Sequence, residues 1–262
     1  MEHLDAAHRQ REQALAAAQT CARLLRERFG ARRVILFGSA ARPDTWHADS
    51  DIDLAVEGLA SDRFFAAYSA CRDLMPHGVE LDLVPLERAY PELRARILGE
   101  VEMPDNPMQA LKALVEDELA ALDRLAQEMD DLLTERGQQP TRTDLRAMAS
   151  ILHEFYNGVE RIFERLAVVL GEGLPQGSQW HSDLLVQMAA AREEKRRAVI
   201  DEPLRARLKD YLDFRHFYRH AYGYTLEWNQ LRWKAEMLPD TLTLLRDQLH
   251  GFFDALMLLS SE

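Results

Sequence analysis

Residues 33–56 read RVILFGSAARPDTWHADSDIDLAV, and the rest of the chain is read outward from them. Val34 to Phe37 are apolar and begin with two β-branched residues, which predicts a short strand. Gly38-Ser39 predicts a turn, and Asp51-Ile52-Asp53 opens a second run in which acid and apolar side chains alternate. Alternate residues of a strand share a face, so Asp51 and Asp53 point to one side. A third run, Val79 to Leu86, alternates again and puts Glu80 and Asp82 on one face of another strand. Clustered carboxylates are the hard oxygen ligands that magnesium takes. Gly38 lets backbone approach a phosphate, Ser39 offers a hydroxyl, and a helix starting there would add free amide groups. Together these residues make a metal-and-phosphate constellation.

Upstream, Leu15, Ala18, Ala22, Leu25 and Phe29 recur at helical spacing, which predicts a helix over 3–29 stopped by Gly30. Downstream, Ser61 is placed to cap a helix over about 62–75 that ends at Pro76 and Gly78. A further helix is expected around 87–99. Asp105-Asn106-Pro107 is a turn signal taken as a boundary, giving domains 1–105 and 106–262. Beyond it the pattern is helical only. Leu111, Val115, Leu119, Leu122, Ala126, Met129 and Leu133 form one stripe over 108–134. A second long helix is expected from Asp144 to Leu170, a shorter one after Trp180, and a fourth opened by Asp201 and Pro203 and stopped by Gly223; Pro239 splits the remainder into two. The predicted fold is an α+β domain, a mixed sheet with flanking helices, followed by an all-α helical bundle.

The chain has 262 residues, 47% of them hydrophobic, enough for two ordinary cores. Its formal charge of -12, with both halves net acidic, excludes a general basic surface for nucleic acid or anionic membrane. Cys21 and Cys71, far apart in helical patterns, fit a reducing compartment and exclude a Cys-rich zinc site; both read as core fillers. The charged N-terminus lacks a signal-like apolar stretch, and the run GFFDALMLL is short and holds Asp254, so a cytoplasmic protein without a membrane partner is expected.

In the helical half, RHFYRHAY (215–222) is the sharpest feature. Helical spacing puts Arg215, Arg219 and Tyr222 on one face and His216 and His220 on another. An arginine and a histidine brought together, from two subunits if required, can cleave RNA without metal: histidine acts as general acid or base and arginine stabilises the charged phosphorane. Spacing alone favours a solvated basic helix end. His216 and His220 as a metal pair lack both a following glutamate and a third ligand. Phe155, Tyr156, Phe163 and Trp180 read as core, and AREEKRR (191–197) as a solvated mixed-charge face rather than a guide for RNA.

The first half, over roughly residues 15–104, resembles the minimal nucleotidyltransferases of the DNA polymerase β superfamily, whose signature is Gly-Ser, a loop of usually about ten residues, then Asp-x-Asp. The resemblance implies that Gly38 and Ser39 bind the triphosphate of ATP, that Asp51 and Asp53 hold Mg2+, and that Asp82 is the third carboxylate, which helps activate the nucleophile. Glu80 is the rival for that last role; Leu81 to Val84 reproduces the family's apolar-Asp-apolar-apolar strand and favours Asp82. The loop Ala40–Ser50 departs from the pattern by having eleven residues. That leaves the reach of Arg42 and His47 open. Over about residues 108–260, ILHEFYNGVERIF, WHSDLLVQM and YLDFRHFYRHAYG resemble the HEPN class, in particular HepT-like ribonuclease toxins with the motif Arg, four residues, His, x, Tyr. This implies Arg215 and His220 as a ribonuclease pair acting on RNA in a homodimer, and Tyr222 as the tyrosine that the nucleotidyltransferase adenylylates. Such domains are usually separate chains; here they are joined. The expected activity is Mg-dependent transfer of AMP from ATP to Tyr222 in a fused toxin-antitoxin-type protein. The alternatives are transfer to a small hydroxylated substrate such as an aminoglycoside, and a non-catalytic nucleotide-sensing module.

Overall fold

The computed structural model describes residues 2–41, 46, 50–101, 104, 106–136, 139–177, 179–192, 196–220 and 226–259, without the side chains of 2–9, 220 and 259. The chain divides into two compact units, Met1–Glu102 and Met103–Glu262.

The first unit runs α1 (Glu2–Glu27), β1 (Arg33–Phe37), β2 (Ile52–Glu57), a 3-10 turn at Ser61–Arg63, α2 (Phe64–Arg72), β3 (Leu81–Pro85) and α3 (Pro91–Leu98). The sheet order is β1-β2-β3, with β1 antiparallel and β3 parallel to β2, so the sheet is mixed as the sequence predicts. Alternation divides the strands between two cores. Val34, Leu36, Ile52, Leu54, Val56, Leu81 and Leu83 pack with Ala14, Cys21 and Leu25 of α1 and with Ala67 and Cys71 of α2. Ile35, Phe37 and Ala55 pack with Leu86 and the α3 residues Leu93 and Ile97 on the opposite face. Leu25, Ile52 and Leu54, at most 1% exposed, each stabilise the unit by about 1.5–3 kcal/mol. Cys21 and Cys71 are buried free thiols, which makes them the core fillers expected.

Two boundaries differ from the sequence reading. Ser61 does not cap α2: it lies in the 3-10 turn, and its hydroxyl accepts from Arg88 Nη2 at 2.8 Å. The following helix starts at Phe64 and gives way after Arg72 to the tight turns Leu74 N to Cys71 O and Met75 N to Arg72 O. Likewise α3 starts at Pro91 rather than near 87, because Arg88 and Ala89 turn back onto the Pro85 carbonyl and Pro91 has the φ of a first helical position.

The second unit is an all-α bundle among the described residues, apart from one bridge between Arg192 and Arg196: α4 (Pro107–Arg136), α5 (Arg142–Val169), α6 (Trp180–Ala189), α7 (Glu202–His220), α8 (Trp228–Glu236) and α9 (Leu238–Leu259). Asn106 Oδ1 accepts from the amides of Met108 and Gln109 and so starts α4. The predicted stripe is the buried face of α4 from Leu111 to Met129, with Leu133 partly buried. Phe155, Tyr156 and Phe163 are fully buried on α5, and Trp180 packs at the edge of the same core. Gly158 lets α4 and α5 approach: a Cβ there would lie 2.6 Å from Leu122 Cδ2. Beside it Glu118 receives Arg161 at 2.7 Å and Arg165 at 3.1 Å. The final split falls at Met237, and Pro239 sits in the first turn of α9, where its missing amide costs nothing.

The run AREEKRR is not uniformly a solvated face. Arg196, with 1% of its side chain exposed, ion-pairs with Glu172 and donates to the carbonyls of Gln187, Ala190 and Arg197. Burial pushes the Glu172 carboxyl up, but the hydrogen bonds from Arg196 and Gln187 and the charges of Arg196 and Arg192 outweigh it and hold the carboxyl low.

A capping box opens α5: Thr141 Oγ1 accepts from the Asp144 amide, and the Thr141 amide donates to Asp144 Oδ2 at 2.8 Å. The Thr141 hydroxyl and amide, with Arg136 at 3.4 Å, hold the Asp144 carboxyl below its usual range. A depressed folded pKa means stability that is present above the ordinary carboxylate value and lost as pH falls through the folded one. Asp144→Asn should therefore lose less stability on acidification than the wild type, as read by urea melts at neutral and acid pH. Equal losses would remove the assignment.

Candidate functional site

In the first unit, the parallel register sets Asp53 directly opposite Asp82, and the antiparallel register sets Phe37 opposite Asp53. Register partners project to the same side of a sheet, so the two carboxylates stand side by side about 5 Å apart at Cβ. Their face is the one bearing Ile35, Phe37 and Ala55. Asp51 lies one residue before β2 and is exposed; Glu80 lies one residue before β3, also exposed, and its carbonyl accepts from the Ile52 amide.

Gly38 ends β1 with φ 69°, and a Cβ there would lie 1.9 Å from Asp53 Oδ2. The missing side chain is what brings the Gly-Ser backbone onto this carboxylate. Arg11 of α1 donates to the Ala40 carbonyl at 2.9 Å and ties the turn down. Residues 38–41 form a turn, and no helix starts at Ser39 among the described residues. Arg42, His47 and most of the eleven-residue loop lie outside the described residues.

Among the described residues, no three His, Cys, Asp or Glu side chains are grouped so as to hold a metal by themselves. Magnesium asks for no such set, since it takes one or two carboxylates and completes its shell with water and substrate phosphate. The side-by-side Asp53 and Asp82, with Asp51 near, fit that requirement.

In the second unit Arg215 is not part of a solvated helix end: it is 7% exposed and held from three sides. Its Nε donates to Asn157 Oδ1 at 2.6 Å, its Nη2 pairs with Glu160 Oε1 at 3.0 Å, and its Nη1 faces His181 Nε2 at 3.4 Å. Glu160 Oε2 meets His181 Nδ1 at 2.6 Å. An arginine N–H toward Nε2 requires a lone pair there, which puts the imidazole proton on Nδ1, donated to Glu160. Trp180 lies over the His181 ring at 3.8 Å between centroids, and His216 meets it edge-on at 5.4 Å. Burial pushes the Glu160 carboxyl up to about 7 against the pull of Arg215, Arg219 and Arg161. Burial also pushes His181 down to about 4, helped by Arg215 and Arg219.

His220 closes α7, and its side chain, like Tyr222, lies outside the described residues. Five helical positions separate Arg215 from His220 along α7, about 140° around the axis. Asn157, Glu160 and His181 were assigned no role from sequence. The available signal is Glu160, a charged residue mid-helix on the buried stripe of α5, whose other buried charge, Asp144, belongs to the N-terminal capping box.

Comparison with known families agrees with this division. Residues 19–103 match the family model described as Polymerase beta, Nucleotidyltransferase, and residues 147–256 match the one described as HepT-like protein. The chain is a fusion of a polymerase-β-type nucleotidyltransferase domain and a HepT-like HEPN-type domain, which makes it a toxin-antitoxin-like nucleotidyltransferase. No curated protein and no solved structure matches it. Among the described residues, no helix is long and apolar enough to cross a membrane.

Proposed function

We propose that residues 1–105 transfer AMP from ATP to a protein tyrosine, Tyr222 of the helical domain formed by residues 106–262. The observation that carries this reading is the register of Asp53 with Asp82 beneath the Gly38 turn, a carboxylate pair at a backbone that only glycine permits. Gly38 and Ser39 receive the triphosphate. Asp51, Asp53 and Asp82 would hold magnesium, which would neutralise charge on the phosphates. Asp82 orients the tyrosine hydroxyl and takes its proton as the phenolic oxygen attacks the α-phosphorus. Pyrophosphate leaves, and AMP remains on the tyrosine.

The helical domain is read as a metal-independent ribonuclease in which Arg215 stabilises charge on the RNA phosphate and His220 moves the proton. The angular separation of the two residues on α7 favours a site completed by a second copy of the chain. Modification of Tyr222, two residues from His220, would silence it.

Intact mass spectrometry tests the transfer. Incubated with ATP and magnesium, the wild type should gain AMP, whereas Asp53→Ala and Tyr222→Phe should gain none. An undiminished gain in Tyr222→Phe would move the target elsewhere, and no gain in the wild type would sink the transfer itself.

A further inference from the structure

We infer that Asn157, Glu160 and His181 form a three-point cradle that positions the Arg215 guanidinium and leaves it one open N–H on each terminal nitrogen for an RNA phosphate. The inference rests on the ribonuclease reading of the helical domain. A guanidinium is a rigid plane with five N–H donors on three nitrogens. Each nitrogen of Arg215 meets a different group: Nε meets Asn157, Nη2 meets Glu160, and Nη1 meets His181. Three contacts at three corners fix the plane as well as its position. Each terminal nitrogen carries two hydrogens and has one such partner among the described residues, so one donor on each is left to a substrate. The side chain keeps 9% of its surface open, and substrate contact is confined to that fraction.

The cradle is built from distant parts of the chain: Asn157 and Glu160 lie one turn apart on α5, and His181 lies in the first turn of α6. His181 acts as both acceptor and spacer. Its Nδ1–H is donated to Glu160, its Nε2 lone pair faces Arg215, and Trp180 over the ring sets its plane. Glu160 therefore holds Arg215 directly through one oxygen and through the imidazole with the other. A donor fixed before substrate arrives has no reorganisation to undergo during the reaction, which is the condition for strong stabilisation of developing charge. Glu160 and His181 touch Arg215 rather than substrate, and are positioning residues.

The experiment uses the full chain with Asp53→Ala to prevent modification, and an RNA oligonucleotide as substrate. Adding Glu160→Gln, which keeps the volume and removes the charge, or His181→Phe should lower kcat by about 100-fold with KM within about threefold. His181→Gln, which keeps an acceptor carbonyl, should recover part of that loss. In parallel, the Arg215 Nε–H resonance, assigned by its loss in Arg215→Lys, should exchange slowly with solvent in the parent and quickly in Glu160→Gln and His181→Phe. If the parent cleaves RNA and the two variants match it, or change KM alone, the cradle has no positioning role. If the parent cleaves no RNA, the ribonuclease reading fails. The exchange measurement then decides the cradle separately: unchanged exchange in both variants overturns it, and accelerated exchange upholds the fixed guanidinium.

Discussion

Under the proposed transfer reaction, Gly38→Ala should lower AMP incorporation at least about 100-fold while leaving the helical unit's stability unchanged. Two separate costs combine at this position. The backbone φ of 69° is left-handed, which strains an alanine by about 1–2 kcal/mol. The new methyl would also lie 1.9 Å from Asp53 Oδ2, 2.7 Å from its Cγ and 3.1 Å from its Cβ. The last two atoms are not the far end of a flexible chain: Asp53 is fixed in β2 between Phe37 and Asp82. Relief must move either the carboxylate or the Gly-Ser turn. Gly78→Ala is the matched control, since Gly78 has φ 82° with nothing within 4 Å of a built Cβ, so it carries the backbone strain alone. Incorporation of labelled AMP should fall in the first variant and not in the second. Wild-type transfer by Gly38→Ala would remove the contact with Asp53 from the reaction.

Arg215→Ala should destabilise the helical unit by about 3–5 kcal/mol, the cost of stranding one partner of a buried ion pair. Glu160 is 5% exposed, and Arg215 is the charge that pulls most strongly against the burial raising its pKa. The substitution also strands Asn157 Oδ1 and His181 Nε2. For a unit of this size the loss corresponds to a fall in Tm of roughly 10 °C. Replacing both partners, Arg215→Ala with Glu160→Leu, should restore only the part due to the stranded charge, because Asn157 Oδ1 and both ring nitrogens of His181 still lose these partners. Urea melts of the two variants and the wild type check this. A cost below about 1 kcal/mol for Arg215→Ala would show that Glu160 finds its stabilisation elsewhere. Lost RNA cleavage in Arg215→Ala alone thus mixes chemistry with folding, and since Glu160→Gln also takes a charge out of the buried pair, its urea melt is compared with the wild type before its kinetics are read.

The strands and helices were legible because their order is written in local pattern: a short apolar, β-branched run at 34–37, alternation at 51–56 and 79–86, and the stripe from Leu111 to Leu133. The expectation that Asp53 and Asp82 share a site follows from the same alternation, and the parallel register puts them level. Local pattern failed where a distant residue decides the outcome. Ser61 reads as a helix cap, but Arg88 takes up its hydroxyl. Arg196 reads as part of a solvated charge run, but Glu172 draws it into the bundle. The surroundings of Arg215 were hidden for the same reason. Its three partners lie between 34 and 58 positions away, on helices whose packing no spacing rule within α7 reveals.

The order of the two compact units along the chain bears on how the protein is made. Translation completes Met1–Glu102 while the following 160 residues, Met103 to Glu262, are still being added. At about 5–20 residues per second, that leaves on the order of 8–32 seconds. Domains generally fold as units in the order they emerge, so the transferase unit has this interval to form its sheet before the helical bundle can close around Arg215. Under the proposed function, every newly made chain would carry its silencing activity folded before the activity to be silenced exists. Two genes translated separately would have no such guarantee.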